Sequence, residues 1–458
     1  MKRLDANDVK KAGGTRGVAQ LVATARKRDN ARENPKHWEN GLAYIVKKKK
    51  GKPGKPDETV SVIATTAANV SLILQHHPLW AGSLGFDEMR QTIVWLQSPP
   101  EIQGLQSPEI NFTMAETDWI GIQQWLLLIY GATFRRDVVE MGAMKAAEAR
   151  KFHPVRDYLD SLEWDGTPRL DTMLIRHGGA MDSKWVKVAT SKTMIAAVAR
   201  ARKPGCKVDT TLVLESAKQG EKKSWLMRVL AGEAYFSDNL GDVSQKDAQL
   251  HLNGKWIVEI AELDALRKAE NSRVKSFLSR QVDQYRPPYG RRDVYVPRSC
   301  IFVGTTNSSE YLTDASGGRR FWPIEIPKRI DIEAICAERD QLWAEADARY
   351  RQGEPWHLDD DLEREAEIEQ ERRYRRHPWE DVLREKLAHK NRTTFAECLD
   401  FLCIEVAKQT SVHSNEVAKV LRRLHFWPGP RTTEKDPDTG RETRPRWYVR
   451  RDDEDAPG

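Results

Sequence analysis

Cysteine is scarce in this 458-residue chain: Cys206, Cys300, Cys336, Cys398 and Cys403 are scattered, and no C-x-x-C pair occurs to suggest zinc. Only "CLDFLC" brings two together, where Cys398 and Cys403 are expected in one helix as small apolar residues. So few thiols fit a reducing compartment. Long apolar runs are missing as well. No window approaches the roughly 18 uninterrupted apolar residues of a membrane helix, and the start "MKRLDANDVKKAGG" has no apolar h-region. With 31% charged residues and a mean hydropathy of -0.66, the expectation is a soluble, cytoplasmic protein with no membrane partner.

A further lack is local. "TTLVLESAKQGEKKSWLMRVLAGEAYF", residues 210 to 236, begins as an apolar β run and ends as a helix, which is the setting of a phosphate-binding loop. Yet both glycines of G-x-x-x-x-G-K-[ST] are replaced, by Ala217 and Lys222. Glycine tolerates positive φ and close ligand approach, so both replacements are expected to restrict the loop.

The formal charge is only +6, but its distribution is uneven. Basic residues gather in "VKKKKGKPGK" (46–55), in "SRQVDQYRPPYGRRDVYVPR" (279–298) and in the tail from Arg422 to Arg451. Any one of these alone reads as solvated surface. Three of them, two interleaved with Tyr or Trp, favour nucleic acid over other polyanions.

The length implies about three domains. Residues 1–57 are Lys-, Gly- and Pro-rich around a weak apolar patch, "LAYIV", and read as a flexible basic segment. Residues 58–205 read as an α-rich N-terminal domain and linker. Within it, Thr113 and Glu116 have capping-box spacing, and Trp119, Ile122, Leu126 and Ile129 share one helical face. A second helix follows Asp137, and Pro154 marks a further helix start, with His153 read as a capping or packed residue. Residues 206–330 change character. The runs "TTLVLE", "KWIVEI", "CIFVGTTN" and "FWPIEI" alternate with helical stretches, which implies an α/β core with a mainly parallel sheet. Residues 331–377 return to charged helix. In 378–458, Thr394 and Glu397 have capping-box spacing before "FAECLDFLCIEVAK"; "HSNEVAKVLRRLHFW" gives a second helix, and a hairpin is expected around Asp438-Thr439-Gly440. Helix, helix, two-stranded wing is a winged-helix order.

A phosphate loop works because backbone N–H groups and a helix N-terminus surround an anion, a lysine reaches the β- and γ-phosphates, and a Ser or Thr hydroxyl ligates magnesium. Gly220, Lys223 and Ser224 stand where those jobs require, with Gln219, Glu221 and Lys222 completing the loop. "KWIVEIAEL" places Glu259 and Glu262 at the end of an apolar strand, where one carboxylate can hold Mg²⁺ and its water shell and the other can activate an attacking water. Asn307 ends the strand of "CIFVGTTN" and can orient that water. In "SGGRRFWPI", Arg319 and Arg320 can stabilise γ-phosphate charge, usually in a neighbouring subunit. Lysine, acid, polar sensor and arginine in this order form a constellation of which each member alone has a blander reading: a solvated lysine pair, a strand entering a polar loop, a surface ion pair.

The phrases "FHPVRDYLDSLEWDGTPRLD", "LVLESAKQGEKKS", "KWIVEIAELDAL", "VKSFLSRQVDQYRPPYGRR", "FVGTTN", "YLTDASGGRRFWPIEI" and "QLWAEADARYRQGE" together resemble the virulence-associated protein E family of phage- and island-encoded, superfamily III-like helicase/ATPase proteins. The resemblance is close over residues 150–355. It implies an AAA+-like P-loop NTPase core flanked by an α-rich N-terminal domain and a winged-helix-like C-terminal domain, using ATP and Mg²⁺ in DNA replication of a mobile element, as a homo-oligomeric, hexameric ring. It gives Lys223 and Ser224 the Walker A roles, Glu259 and Glu262 the Walker B acids, Asn307 the sensor and Arg319 or Arg320 the finger. "SRQVDQYRPPYGRR" then resembles a β-hairpin facing translocating DNA, with Arg286, Arg291 and Arg292 for phosphates and Tyr285 or Tyr289 for stacking. Arg422 and Arg423 are the expected duplex contacts of the C-terminal unit. No N-terminal primase signature is present, so priming would come from a separate primase or replication initiator. The rival reading from another class is a non-hydrolysing winged-helix DNA-binding regulator.

Overall fold

The computed structural model describes residues 36–49, 57–100, 112–240, 247–261, 274–286, 293–312, 319–374, 377–431, 434–435, 442–443 and 446–451. Two compact units emerge. One holds the described residues up to Ser308 together with Arg319–Ala366; the other holds Ser309–Leu312 and the residues from Glu367 onward.

The first unit opens with β1 (Tyr44–Lys49) and β2 (Glu58–Ile63), an antiparallel ribbon running from Tyr44 opposite Ile63 to Lys49 opposite Glu58. The "LAYIV" patch, expected to be flexible, is thus a paired strand. Its root is fixed by Asn69 in helix α1 (Ala67–His76), a buried amide that bonds the backbones of Ala43 and Ala64. Strands β3 (Leu84–Asp87) and β4 (Thr92–Trp95) pack on α1, α2 (Glu116–Tyr130) and α3 (Arg136–Glu148), and β5 (Lys151–Phe152) joins β3 in parallel. Buried Trp80, Trp95 and Trp125 centre this core, with Trp125 edge-on to Trp80 at 5.4 Å. Ile122 and Leu126 are buried on α2 with Trp119 and Ile129 beside them, as the spacing predicts. The cap differs, however. Ala115 precedes the helix, and Asp118 accepts from its N–H at 2.8 Å and from Trp95 Nε1 at 3.0 Å. A carboxylate already bonded by a buried indole wins over the Thr113/Glu116 pair.

Helix α4 (Lys184–Arg202) is buried almost all round, and its hydroxyls bond back into the helix, Thr190 to the Val186 carbonyl and Thr193 to that of Ala189. It lies in one core with a five-stranded parallel sheet: β6 (Thr211–Glu215), β7 (Phe236–Ser237), β8 (Ile257–Ile260), β11 (Ile301–Thr306) and β12 (Phe321–Glu325). The spatial order is β12-β6-β11-β8-β7. Pro323 is accommodated because β12 is an edge strand. Between β8 and β11, β9 (Val282–Tyr285) and β10 (Val294–Pro297) form an antiparallel hairpin. Helix α5 (Lys223–Ala231) follows β6, and α6 (Ile332–Arg351) packs against α4 and α5, its Trp343 stacked on Trp256 at 4.1 Å.

Helix α6 also holds the "EWDGTPRLD" turn. Buried Glu345 accepts from the backbone N–H groups of Arg169 (2.6 Å) and Leu170 (3.0 Å); Gln341 bonds Asp165 N and the Glu163 carbonyl; Arg349 pairs with Asp171. Two phrases far apart in the chain are therefore one contact.

Helix α7 (Asp360–Arg372) leads toward the second unit, which holds α8 (Pro378–Leu387), β13 (Arg392–Thr394), α9 (Phe395–Phe401), α10 (Ser411–Arg423), β14 (Phe426–Arg431) and β17 (Arg446–Arg450), with the short pair β15 (Glu434–Lys435) and β16 (Glu442–Thr443) between the last two. The main sheet is antiparallel in the order β13-β17-β14. Its core joins Leu383, Leu387, Cys398, Val417, Leu421, Phe426 and Tyr448. Thr394 caps α9 by accepting from Glu397 N, but the Glu397 carboxylate turns to Lys390 and Thr393 instead of closing the box. Cys403 is exposed at φ 56° just beyond the helix, not inside it. The turn at 438–440 lies outside the described residues.

Candidate functional site

In an open parallel sheet, ligands bind outside the carboxyl ends of the strands. Here β6 ends at Glu215 and the chain turns through Ser216–Lys222 into α5. Strand β11 lies between β6 and β8, so a residue just past its end stands between the β6–α5 turn and the end of β8. Asn307 occupies that place.

The loop takes two left-handed positions. Gly220 has φ 88°, where an added Cβ would meet only open space, and Lys222 has φ 59° and ψ 28°. Lys222 does not deny the loop a glycine conformation; it adopts that conformation itself, at a backbone cost of about 1–2 kcal/mol. Ala217 needs no positive φ. Residues 217–220, Gln219 among them, are exposed, while Glu221 is half-buried with its carbonyl accepting from Ile330 N at 3.1 Å. Among the described residues no side chain caps the first turn of α5, so its outward N–H groups face the same space as the loop.

Beneath that loop Lys223 is 8% exposed. Its ammonium donates to Ser216 Oγ at 2.6 Å, to the Thr306 carbonyl at 2.7 Å and to Asn307 Oδ1 at 2.9 Å. The expected lysine and sensor are thus in direct contact. Ser224 Oγ donates to Glu259 Oε1 at 2.6 Å, and Thr305 Oγ1 donates to the same oxygen at 2.6 Å. Glu259 is 1% exposed, and its second oxygen, Oε2, has no hydrogen-bond partner among the described residues. Neither Ser216 nor Thr305 was expected to take part. Thr305 becomes visible only through register: Val303 lies opposite Glu259, so Thr305 is two residues on along the same strand face.

Hydroxyl and carboxylate oxygens suit Mg²⁺, which is held by one or two carboxylates and keeps most of its waters. A buried carboxylate with one oxygen unpartnered among the described residues, beside a serine hydroxyl, fits such an ion. Among the described residues no three His, Cys, Asp or Glu side chains converge as a metal site. His153 is a cap, as read from the sequence: Nδ1 accepts from Arg156 N at 3.2 Å, and burial pushes its pKa down to about 4.

Glu262, Tyr289, Arg291 and Arg292 are outside the described residues. Arg319 is exposed, and half-buried Arg320 donates to Ser279 Oγ at 3.1 Å. Both precede β12, whose Phe321 pairs with Thr211 and Glu325 with Glu215. They therefore sit at the amino end of the sheet, about 15 Å of strand away from the β6–α5 loop.

The β9–β10 hairpin expected from the resemblance is present, but Tyr285 is buried and cannot stack on a base. Alternation along β9 turns Asp283 and Tyr285 inward, where Asp283 pairs with Arg298 at the hairpin's base. Tyr295, opposite Gln284, is 69% exposed and is the aromatic that the described part of the hairpin presents, with exposed Arg286 on the same ribbon. In the second unit Arg422 is exposed. Arg423, expected on a DNA face, instead pairs with Glu371 and Glu380 and lies over the Tyr374 ring.

Residues 159–375 match the virulence-associated protein E-like domain. The chain thus carries a virulence-associated protein E-like domain. The matched segment contains Lys223, Ser224, Glu259, Asn307, both arginines and the hairpin; the β1–β2 ribbon and Arg422 lie outside it. Among solved structures, the apo C-terminal region (305-718) of NrS-1 is 13% identical, with a TM-score of 0.46 over 80% of this chain and 95% of that one. Its A form is 12% identical, with a TM-score of 0.44 over 80% and 96%. Among curated proteins no relative matches. No described helix is long and apolar enough to cross a membrane.

Proposed function

We propose that this chain is an ATP-dependent DNA helicase or translocase of a phage or mobile element, built on an AAA+-like P-loop core and working as a hexameric ring, with a winged-helix-like C-terminal unit. The observation that carries the reading is the pairing of Lys223 with Asn307 and of Ser224 with Glu259 at the carboxyl ends of adjacent parallel strands.

Nucleotide phosphates would enter over Gly220 and the first turn of α5, where backbone N–H groups and the helix dipole favour negative charge. Lys223 would exchange its bonds to Ser216 and Asn307 for phosphate oxygens. Each charge-assisted hydrogen bond contributes about 1.5–3 kcal/mol, so the exchange is between comparable partners. That exchange releases the Asn307 amide to orient a water. Ser224 and Glu259 would hold Mg²⁺, which neutralises charge developing on the phosphates. Glu262 is the proposed activating base. Arg319, exposed at the far end of the sheet, suits a finger for a neighbouring subunit's phosphate. Duplex contacts in the C-terminal unit would rest on Arg422, and a separate primase or replication initiator would supply primers.

The test is steady-state ATP hydrolysis with and without single-stranded DNA. Turnover stimulated by DNA is expected. Tight Mg-ATP binding without turnover, on or off DNA, would overturn the motor reading in favour of a DNA-binding regulator.

A further inference from the structure

The β1–β2 ribbon is an outlier on this molecule. From Tyr44 to Lys48 every residue of β1 is exposed, and Thr59, Val60 and Ser61 opposite them are exposed too. Both ribbon faces are therefore open. Successive side chains alternate, so Tyr44, Val46 and Lys48 point one way with Thr59 and Ser61, while Ile45 and Lys47 point the other way with Val60. Each face carries a lysine, and Lys47 and Lys48 have no carboxylate partner among the described residues. Over residues 46–58 the sequence holds six lysines against Asp57 and Glu58.

Such a two-stranded arm would be floppy if it were merely attached. Its root is instead locked: Ala43 N donates to Asn69 Oδ1 at 2.9 Å, and Asn69 Nδ2 donates to the carbonyls of Ala43 and Ala64 at 2.8 Å each. Ile63 and Leu42 enter the core beside it. The arm thus has a set direction and projects about 20 Å.

We propose that the β1–β2 ribbon is a duplex-DNA-binding arm that enters a groove. Its occupant is dictated by charge and shape. A major groove about 12 Å wide admits a two-stranded ribbon and presents phosphates along both walls. Lysines on opposite faces can meet both walls at once, whereas a lipid surface or a single strand would engage one face and leave the other lysine in water. Exposed Tyr44 near the root can lie along the sugar-phosphate edge. The inference goes beyond the motor reading, because the arm lies outside the matched family segment and needs no nucleotide to bind.

The experiment is equilibrium binding of the full chain to a fluorescent duplex across a salt series, without nucleotide, comparing wild type, Lys47→Ala/Lys48→Ala and Lys47→Arg/Lys48→Arg. Two lost phosphate contacts should flatten the log-log salt slope by about 1.8 on duplex. The arginine variant should keep the wild-type slope, which shows that charge and not folding is read, and basal ATP hydrolysis should be unchanged in all three. An unchanged duplex slope in the alanine variant would overturn the proposal, as would a loss seen only with single strands or with anionic phosphatidylserine vesicles. If the chain hydrolyses no ATP at all, the motor reading fails while this binding result still stands or falls by itself.

Discussion

Lys223 concentrates the chemistry at the scale of single residues. On the proposed reading, replacing it with Ala removes the charge offered to phosphate, and loss of one such preorganised group costs on the order of 10²–10³ in kcat. The fold should survive, because its ammonium bonds loop and strand-end groups and not the apolar core. A folded Lys223→Ala variant, checked by circular dichroism, that turns over ATP at more than about a tenth of the wild-type rate would remove the phosphate-loop assignment. His153 offers a second check, in pH. Its folded pKa is about 4 against an ordinary value of 6.5, so between those values the unfolded chain binds the extra proton. Stability is fully present above pH 6.5 and falls as pH drops toward 4, by up to about 3 kcal/mol. His153→Asn keeps a capping acceptor without the titration. Urea melts at pH 7 and pH 4.5 should show the gap between wild type and variant closing or reversing at the lower pH; a gap that does not change with pH would mean that His153 titrates normally.

Among elements, the clamp between α6 and the "EWDGTPRLD" turn gives the clearest energetic statement. Glu345 is 1% exposed and accepts from two backbone N–H groups. Glu345→Ala would leave both donors without their acceptor, at about 1–3 kcal/mol each, so a loss of roughly 2–6 kcal/mol is expected in urea unfolding. A loss below about 1 kcal/mol would mean that water replaces the carboxylate freely. The four longer strands of the parallel sheet were legible because buried strands are unbroken β-branched and aromatic runs. Two-residue β7 has no such run. Lys223, Ser224, Glu259 and Asn307 were legible because their jobs need particular residue types at strand ends. Thr305 and Ser216 were not, since their roles arise from cross-strand register and from a turn's path. Tyr285 shows the same limit: it reads as a stacking aromatic in the sequence, and only the pairing of β9 with β10 shows that it faces in while Tyr295 faces out. Asp118 displaced the Thr113/Glu116 cap because an indole from another strand had already fixed it.

At the scale of the whole molecule, Arg319 makes the case for assembly. It precedes β12, while the proposed phosphate loop follows the opposite end of neighbouring β6, and the parallel register from Phe321–Thr211 to Glu325–Glu215 fixes that separation. About 15 Å of strand exceeds the reach of an arginine side chain, so Arg319 cannot serve its own Lys223 without unpairing the sheet edge. Arg320 is half-buried and bonded to Ser279, which leaves Arg319 as the one turned to solvent. The two variants should therefore differ. Arg319→Ala should keep ATP binding and lower turnover by 10³-fold or more, on the order expected for a finger supplied in trans, whereas Arg320→Ala should act mainly on stability through the Ser279 contact. Mixing Arg319→Ala with Lys223→Ala subunits then becomes decisive. In a ring, some interfaces would join an intact phosphate loop to an intact Arg319, and activity should reappear in the mixture at a level set by the fraction of such interfaces. Mixtures that stay inactive at every ratio, while size-exclusion chromatography shows that the two variants co-assemble, would place the arginine outside the shared site and remove the structural reason for a ring.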